Sequence, residues 1–234
     1  MNPSRSPVAF LFDVDNTLLD NDRVIADLQS HLDSEVGAEC AAYYWRIFED
    51  IRTEIGHADY LGALQRFRVE YPHDPGIFTV SHYLLNYPFA ERLFPGVPEV
   101  IAHVKQWGPA ALLTDGDVVF QPWKVERSGL FSAVDGQVMI YPHKEQELDD
   151  VAERCPAEHY VLFEDKLRLL SAIKKIWGRR VTTVFVRQGH YALDPKILAG
   201  YPAADISLDA IGDLLQYDLT QLVAFDYLKR GQDE

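Results

Sequence analysis

Apolar residues follow two rhythms along the chain, and the change of rhythm divides it. Val8-Ala9-Phe10-Leu11-Phe12 is a continuous apolar run that stops at Asp13. With so little alternation it reads as a strand buried on both faces, as in a parallel sheet. Runs of the same kind lie at residues 110–113, 138–141, 160–163 and 181–186, with weaker segments near Val134 and Asp205-Ile206. From about Asp22 to Tyr87 the spacing is helical throughout, predicting helices over 23–32, 38–55, 60–71 and 79–87. In the second of these, Ala41, Tyr44, Trp45, Phe48, Ile51 and Ile55 share one face. The segment Tyr71-Pro72-His73-Asp74-Pro75-Gly76 breaks the last two apart. After Phe94-Pro95-Gly96-Val97-Pro98 the strands alternate with helices over 98–106, 118–128, 145–154, 167–177 and 208–217. Residues 219–234 read as a packed apolar segment with a charged tip.

Strand–helix alternation predicts an α/β fold, a mostly parallel sheet covered on both faces, with the early helical block standing apart as a small bundle. Composition agrees: 47% hydrophobic and 25% charged residues in 234 is ordinary for a globular chain and excludes disorder. The formal net charge of -14 repels polyphosphate backbones and anionic bilayers, so nucleic acid and membrane are not expected partners. It also means that a phosphorylated substrate would need positive charge supplied locally. Two cysteines, Cys40 and Cys155, fit no metal spacing and read as reduced and buried. The first residues lead straight into a strand, not a signal-peptide core, and no apolar run is long enough to span a bilayer. A soluble cytoplasmic protein is expected.

Candidate chemistry gathers at the strand ends. The first strand ends at Asp13, the second at Thr114-Asp115, and that over 160–163 at Glu164-Asp165. Lys144 follows the strand over 138–141. In a parallel sheet these ends share one edge, where ligands of open α/β sheets bind. The group suits phosphoryl transfer: Asp13 attacks phosphorus, while Asp15 protonates the leaving oxygen and then activates water. The Thr114 hydroxyl would hold a phosphoryl oxygen and Lys144 would neutralise charge, with Asp115 and Gly116 on the adjoining turn completing a substrate-binding set. Asp13, Asp15 and Asp165 around one phosphate cannot all stay ionised unaided. A hard divalent cation, Mg²⁺, resolves this. Lys166, next to Asp165, rivals Lys144 for the cationic role. Arg187-Gln188-Gly189-His190-Tyr191 is read as a loop with a turn glycine.

Asp13-Val14-Asp15-Asn16-Thr17-Leu18 resembles the first motif of the haloacid dehalogenase-like hydrolases, with Thr114, Lys144 and Glu164-Asp165 similar to their second, third and fourth in the correct order. The third motif here, Pro142-His143-Lys144-Glu145, lacks the usual proline after lysine, and the fourth lacks the usual Gly-Asp pair. The resemblance implies a Rossmann-like three-layer core formed by residues 1–20 and 94–234, with a helical cap domain over 21–93. It implies Mg²⁺ bound by the Asp13 carboxylate, the Asp15 main-chain carbonyl and Asp165, with Glu164 the alternative carboxylate. Namesake dehalogenases lack the second aspartate of the first motif, so Asp15 favours phosphate chemistry. The expected activity is Mg²⁺-dependent hydrolysis of a small phosphorylated metabolite through an aspartyl-phosphate. A phosphomutase or phosphotransferase, a dehalogenase and a non-catalytic binding protein are the alternatives, and the oligomeric state is left open.

Overall fold

The structure, a computed structural model, describes residues 5–224. Strand β1 (Ser6–Phe12) is buried along its last five residues. Val8, Phe10 and Phe12 enter one apolar cluster while Ala9 and Leu11 enter another, so the strand is covered on both faces. It is central in a six-stranded, all-parallel sheet ordered β3-β2-β1-β4-β5-β6. The other strands are β2 (Ala110–Asp115), β3 (Val138–Tyr141), β4 (Ala157–Glu164), β5 (Val181–Val186) and β6 (Ile206–Leu208).

On one face lie α5 (Val97–Val104), α6 (Phe120–Arg127), α7 (Leu130–Ala133) and α12 (Leu219–Ala224), which feed the first cluster. The opposite face carries α8 (Leu148–Arg154), α9 (Leu167–Trp177) and two short turns, α10 (Gly189–Leu193) and α11 (Pro195–Leu198). These are the three layers of a Rossmann-like α/β fold.

Between β1 and β2 the chain forms α1 (Asn21–Glu35), α2 (Ala38–Ile55), α3 (Tyr60–Glu70) and α4 (Gly76–Asn86). Local chemistry sets their limits. The Asp20 side chain caps α1 by accepting from Arg23 N, and Asp59 caps α3 by accepting from Gly62 N. Gly56 ends α2 in the left-handed conformation that glycine adopts without penalty. Chains entering and leaving this block pair with each other: Leu19 bridges Leu93, Asp20 N donates to Arg92 O at 2.8 Å, and Phe94 N to Leu18 O at 2.9 Å. The block's apolar interior is continuous with one sheet face. Rings run from Trp45 to Phe48 (5.2 Å), Tyr60 (4.8 Å) and on to Phe120 of α6 (5.4 Å).

Several elements differ from the sequence reading. The segment around Val134 is no strand; it closes α7 and turns through Asp135 and Gly136, both with positive φ. The helix expected over 145–154 is split, a 3-10 turn at Lys144–Gln146 preceding α8, because Lys144 is drawn into the site by both its main chain and its side chain. That over 118–128 begins at Phe120, where Asp117 accepts from both Val119 N and Phe120 N. Residues 211–216 wind as a 3-10 turn, with Gly212 packed so closely on the Pro95 carbonyl that a Cβ would lie 2.9 Å from it. Of the stretch 219–234, α12 is described and buries Leu219 and Leu222; the rest lies outside the described residues. Both cysteines are free, but only Cys155 is buried, Cys40 being half-buried on α2. No helix among the described residues is long and apolar enough to cross a membrane.

Candidate active site

Strand register assembles the site. β1 and β4 pair with Phe12 opposite Phe163, whose rings stack at 4.5 Å, and Asp13 N continues the ladder to Phe163 O at 3.0 Å. Asp13 and Glu164-Asp165 therefore emerge side by side between β1 and β4, where the strand order reverses and such folds form their binding crevice. The carboxylates of Asp13, Glu164 and Asp165 offer oxygens that all lie within 4.8 Å of one another. β2 ends opposite β3, with Asp115 beside Tyr141, and the Asp115 carboxylate accepts from Lys144 N at 2.7 Å. That bond turns the Lys144 side chain back into the sheet edge. Its ammonium lies 2.5 Å from Asp13 Oδ1 and 2.5 Å from Glu164 Oε2, and donates to Leu113 O at 3.2 Å, wholly buried. Lys166 is placed otherwise: its ammonium stands 5.3 Å from the Tyr191 ring centre and forms no ion pair among the described residues. The ammonium touching Asp13 is thus that of Lys144.

Charge in this cluster is unbalanced. Burial, with Glu164 adding and Lys144 opposing, pushes the Asp13 carboxyl up to about 6. Burial raises Asp165 well above its usual value too; Lys166 opposes, and Glu164 and Asp13 add to the rise. For Glu164 burial is outweighed by Lys144 and Lys166, which hold its carboxyl below its usual value. Lys144 gains from Asp13, Glu164 and Asp115 more than burial costs it, so it stays charged. Asp165 is the unfinished member: neither buried oxygen finds a hydrogen-bond donor among the described residues. Orphaned buried carboxylate oxygens are costly. Beside Asp13 they form a hard, all-oxygen donor set that fits a divalent cation such as Mg²⁺. Glu164, committed to Lys144, is less available than Asp165.

Asp15 opens onto a cavity of about 510 Å³ between the core loops and α1–α3, in the size range of small-molecule sites. Asp115 and Lys166 line the same cavity, as do Trp45, Phe48 and Tyr60 from the helical block. Thr114 is buried with its hydroxyl accepting from Gln121 Nε2 at 3.1 Å. Gly116 packs directly on Gln121, where a Cβ would come within 2.7 Å of the glutamine side chain. Sequence reading passed over two residues here, Gln121 and Lys124 of α6. Lys124 Nζ contacts both Asp15 oxygens, at 2.7 and 2.9 Å, and Gln121 Nε2 reaches Asp15 Oδ2 at 3.4 Å. The signal was present: both fall on the buried face of α6 with Phe120 and Val125, where a polar residue needs a reason.

The segment around Gly189 does more than turn. Gln188 Nε2 donates to Thr17 O at 3.2 Å, while His190 engages Asp22 through its main-chain N (2.7 Å) and its ring (2.6 Å). Asp22 in turn is bracketed by the Asn16 side chain, and Tyr191 accepts from Arg52 of α2 across the cavity. Asn16 adopts φ 63°, a left-handed conformation that asparagine tolerates. Gly189→Ala is expected to destabilise the fold by about 1–3 kcal/mol. Its φ is +72°, and an added Cβ would sit 2.5 Å from that of Asn16. Urea unfolding reads this directly, and an unchanged midpoint would refute it.

A parallel sheet whose switch point carries a carboxylate cluster and a buried lysine is a Rossmann-like α/β fold with its polar residues where such folds bind ligands. The haloacid dehalogenase-like hydrolase family matches residues 8–176, and the chain belongs to that family. A crystal structure described as a haloacid dehalogenase-like hydrolase from Burkholderia xenovorans LB400 is 55% identical, with a TM-score of 0.87, covering 91% of this chain and 99% of that one. The magnesium-bound HAD-hydrolase YfnB from Bacillus subtilis (18% identity, TM-score 0.58, 91% and 98% covered) shares the fold. So does the L-2-haloacid dehalogenase from Xanthobacter autotrophicus with chloropropionic acid covalently bound (16%, 0.56, 91% and 98%). Comparison with curated proteins gave no match.

Proposed function

We propose that the chain is a Mg²⁺-dependent phosphatase that hydrolyses a small phosphorylated metabolite through a phosphorylated Asp13. The observation that carries this reading is the pair of aspartates: Asp13 buried against Lys144, and Asp15 two residues on with its carboxylate facing the cavity. A halide leaves without a proton, so carbon–halogen cleavage needs no acid at the leaving group. A phosphatase needs a second group for the leaving oxygen. Lys144 orients the Asp13 carboxylate and screens the approach of an anionic phosphoryl group. As the Asp13–phosphorus bond forms, the ester P–O bond breaks and the leaving oxygen takes a proton from the Asp15 carboxyl. Asp15 then accepts a proton from the water that hydrolyses the phospho-aspartate. Thr114 offers its hydroxyl to a phosphoryl oxygen, and Asp115 holds the Lys144 main chain in place. Asp13, Asp165 and the Asp15 main-chain carbonyl would hold the divalent cation, which supplies positive charge beside the phosphoryl oxygens. The helices over 21–93 act as a cap that excludes bulk water from the cavity.

Phosphate release from a panel of small phosphate esters, with Mg²⁺ and with EDTA, tests the reading. Mg²⁺-dependent release, lost at least about 100-fold on chelation, is expected. Halide release from chloropropionate in place of phosphate release would replace it with a dehalogenase. An isomerised ester without free phosphate would replace it with a mutase.

A further inference from the structure

Lys124 is 1% exposed, yet it lies on the buried face of α6 beside Phe120 and Val125, where an aliphatic side chain would pack at lower cost. Taking an ammonium out of water is expensive, and buried ion pairs are often less stable than apolar residues of similar volume. Here the charge is directed mainly at Asp15, with Asn21 a longer second contact. Its ammonium donates to Asp15 Oδ1 at 2.7 Å and Oδ2 at 2.9 Å, and to Asn21 Oδ1 at 3.3 Å. Gln121, three residues earlier on the same face, joins Asp15 Oδ2 (3.4 Å) to the Thr114 hydroxyl (3.1 Å). Asp15 therefore has both oxygens held from one side, while the carboxylate remains 22% exposed towards the cavity.

We propose that Lys124, assisted by Gln121, is a positioning residue that fixes the Asp15 carboxylate in the orientation from which it serves the leaving-group oxygen. The role rests on the phosphatase reading above. Lys124 touches no reacting atom; it acts through Asp15 alone. Without it only the longer Gln121 contact holds the group, and the fraction of encounters in which the protonated carboxyl meets the leaving oxygen falls. That loss depends on the leaving group. An alkoxide departs poorly unless protonated, whereas p-nitrophenolate needs no proton.

The test compares kcat/KM, which reports phosphorylation of Asp13, for ethyl phosphate and p-nitrophenyl phosphate. Lys124→Met is expected to lower the ethyl ester value about 100-fold and the aryl value less than about threefold. Lys124→Arg, which keeps a charge near Asp15, should recover part of the ethyl ester loss. In the double variant, Asp15→Asn with Lys124→Met should be no slower than Asp15→Asn alone, since residues acting through one another are not additive. Equal losses on both esters, or a further loss in the double variant, would assign Lys124 to scaffolding and overturn the inference while leaving the phosphatase reading intact. If Lys124→Met fails to fold, the comparison of Asp15→Asn with the double variant decides, because there both charges are removed together. Wild-type protein that releases phosphate from neither of these nor from any other ester of the panel overturns both.

Discussion

Asp13→Asn is expected to lower phosphate release by at least about four orders of magnitude, because an amide cannot form the phospho-enzyme. The substitution is nearly isosteric and leaves Lys144 paired with Glu164 at 2.5 Å, so the fold should survive. Stability supplies an independent reading. Asp13 is raised from an ordinary 3.8 to about 6 by burial and by Glu164. A carboxyl raised in the folded state binds its proton more tightly there than in the unfolded chain. Folding therefore loses stability as pH climbs through that window, and above it the ionised group works against the fold. In EDTA at neutral pH, Asp13→Asn should melt at or above the wild-type temperature, and the gap should close towards pH 4. A variant that retained substantial turnover would remove Asp13 from the nucleophile's place. One that melted lower than wild type at every pH would contradict the charge imbalance described for this cluster.

Lys144→Ala carries the second large effect, on stability as well as rate. Removing one member of a buried ion pair typically costs about 3–5 kcal/mol, because the surviving charges stay buried without compensation. Here two carboxylates, Asp13 and Glu164, would be left so. Part of the cost is avoided if they take up protons, so the loss should be greatest at neutral pH and above and smaller in acid. Phosphate release should fall below detection. Lys166→Ala should behave differently. Its ammonium packs over Tyr191 and lies beyond ion-pair distance of the carboxylates whose charge it offsets, so unfolding should shift by less than in Lys144→Ala. The two variants, compared by urea unfolding and turnover, separate the lysines. A stability loss confined to Lys166→Ala would contradict the geometry of the cluster.

The parallel core was legible because its strands are unbroken apolar runs, a pattern that only burial on both faces makes sense of. The strand ends were legible for the same reason, since Asp13, Thr114 and Glu164-Asp165 each interrupt such a run at the same edge. What escaped was written in contacts distant in sequence. Lys124 and Gln121 belong to a segment correctly read as helical, yet their meaning depends on Asp15, more than a hundred residues earlier. Gly189 was read as a turn glycine, and its φ of +72° agrees. Its closeness to Asn16 could not be foreseen, because it arises from the packing of the β5–α10 connection on the β1 loop. The broken helix at 145–154 failed in the same way: local propensity favoured continuity, and the Asp115–Lys144 bond overrode it. Local rhythm thus gave the elements, while interactions across the sheet edge decided how they end.

The pairing of Leu19 with Leu93, flanked by the Asp20–Arg92 and Leu18–Phe94 bonds, has a consequence for how such a protein can change. The helical block begins and finishes at one point on the surface of the sheet. Its length therefore puts no strain on the spacing of β1 and β2, and the entropy of closing so long an excursion is met at that two-stranded neck. Beyond the neck the helices can gain or lose turns where they face solvent, while the Tyr60 ring against Phe120, the Asn21–Lys124 contact and the Asp22–His190 pair tie the rest to the core. The position of Asp13 is thereby set within the sheet, and the helical block is joined to it at one place rather than threaded through it.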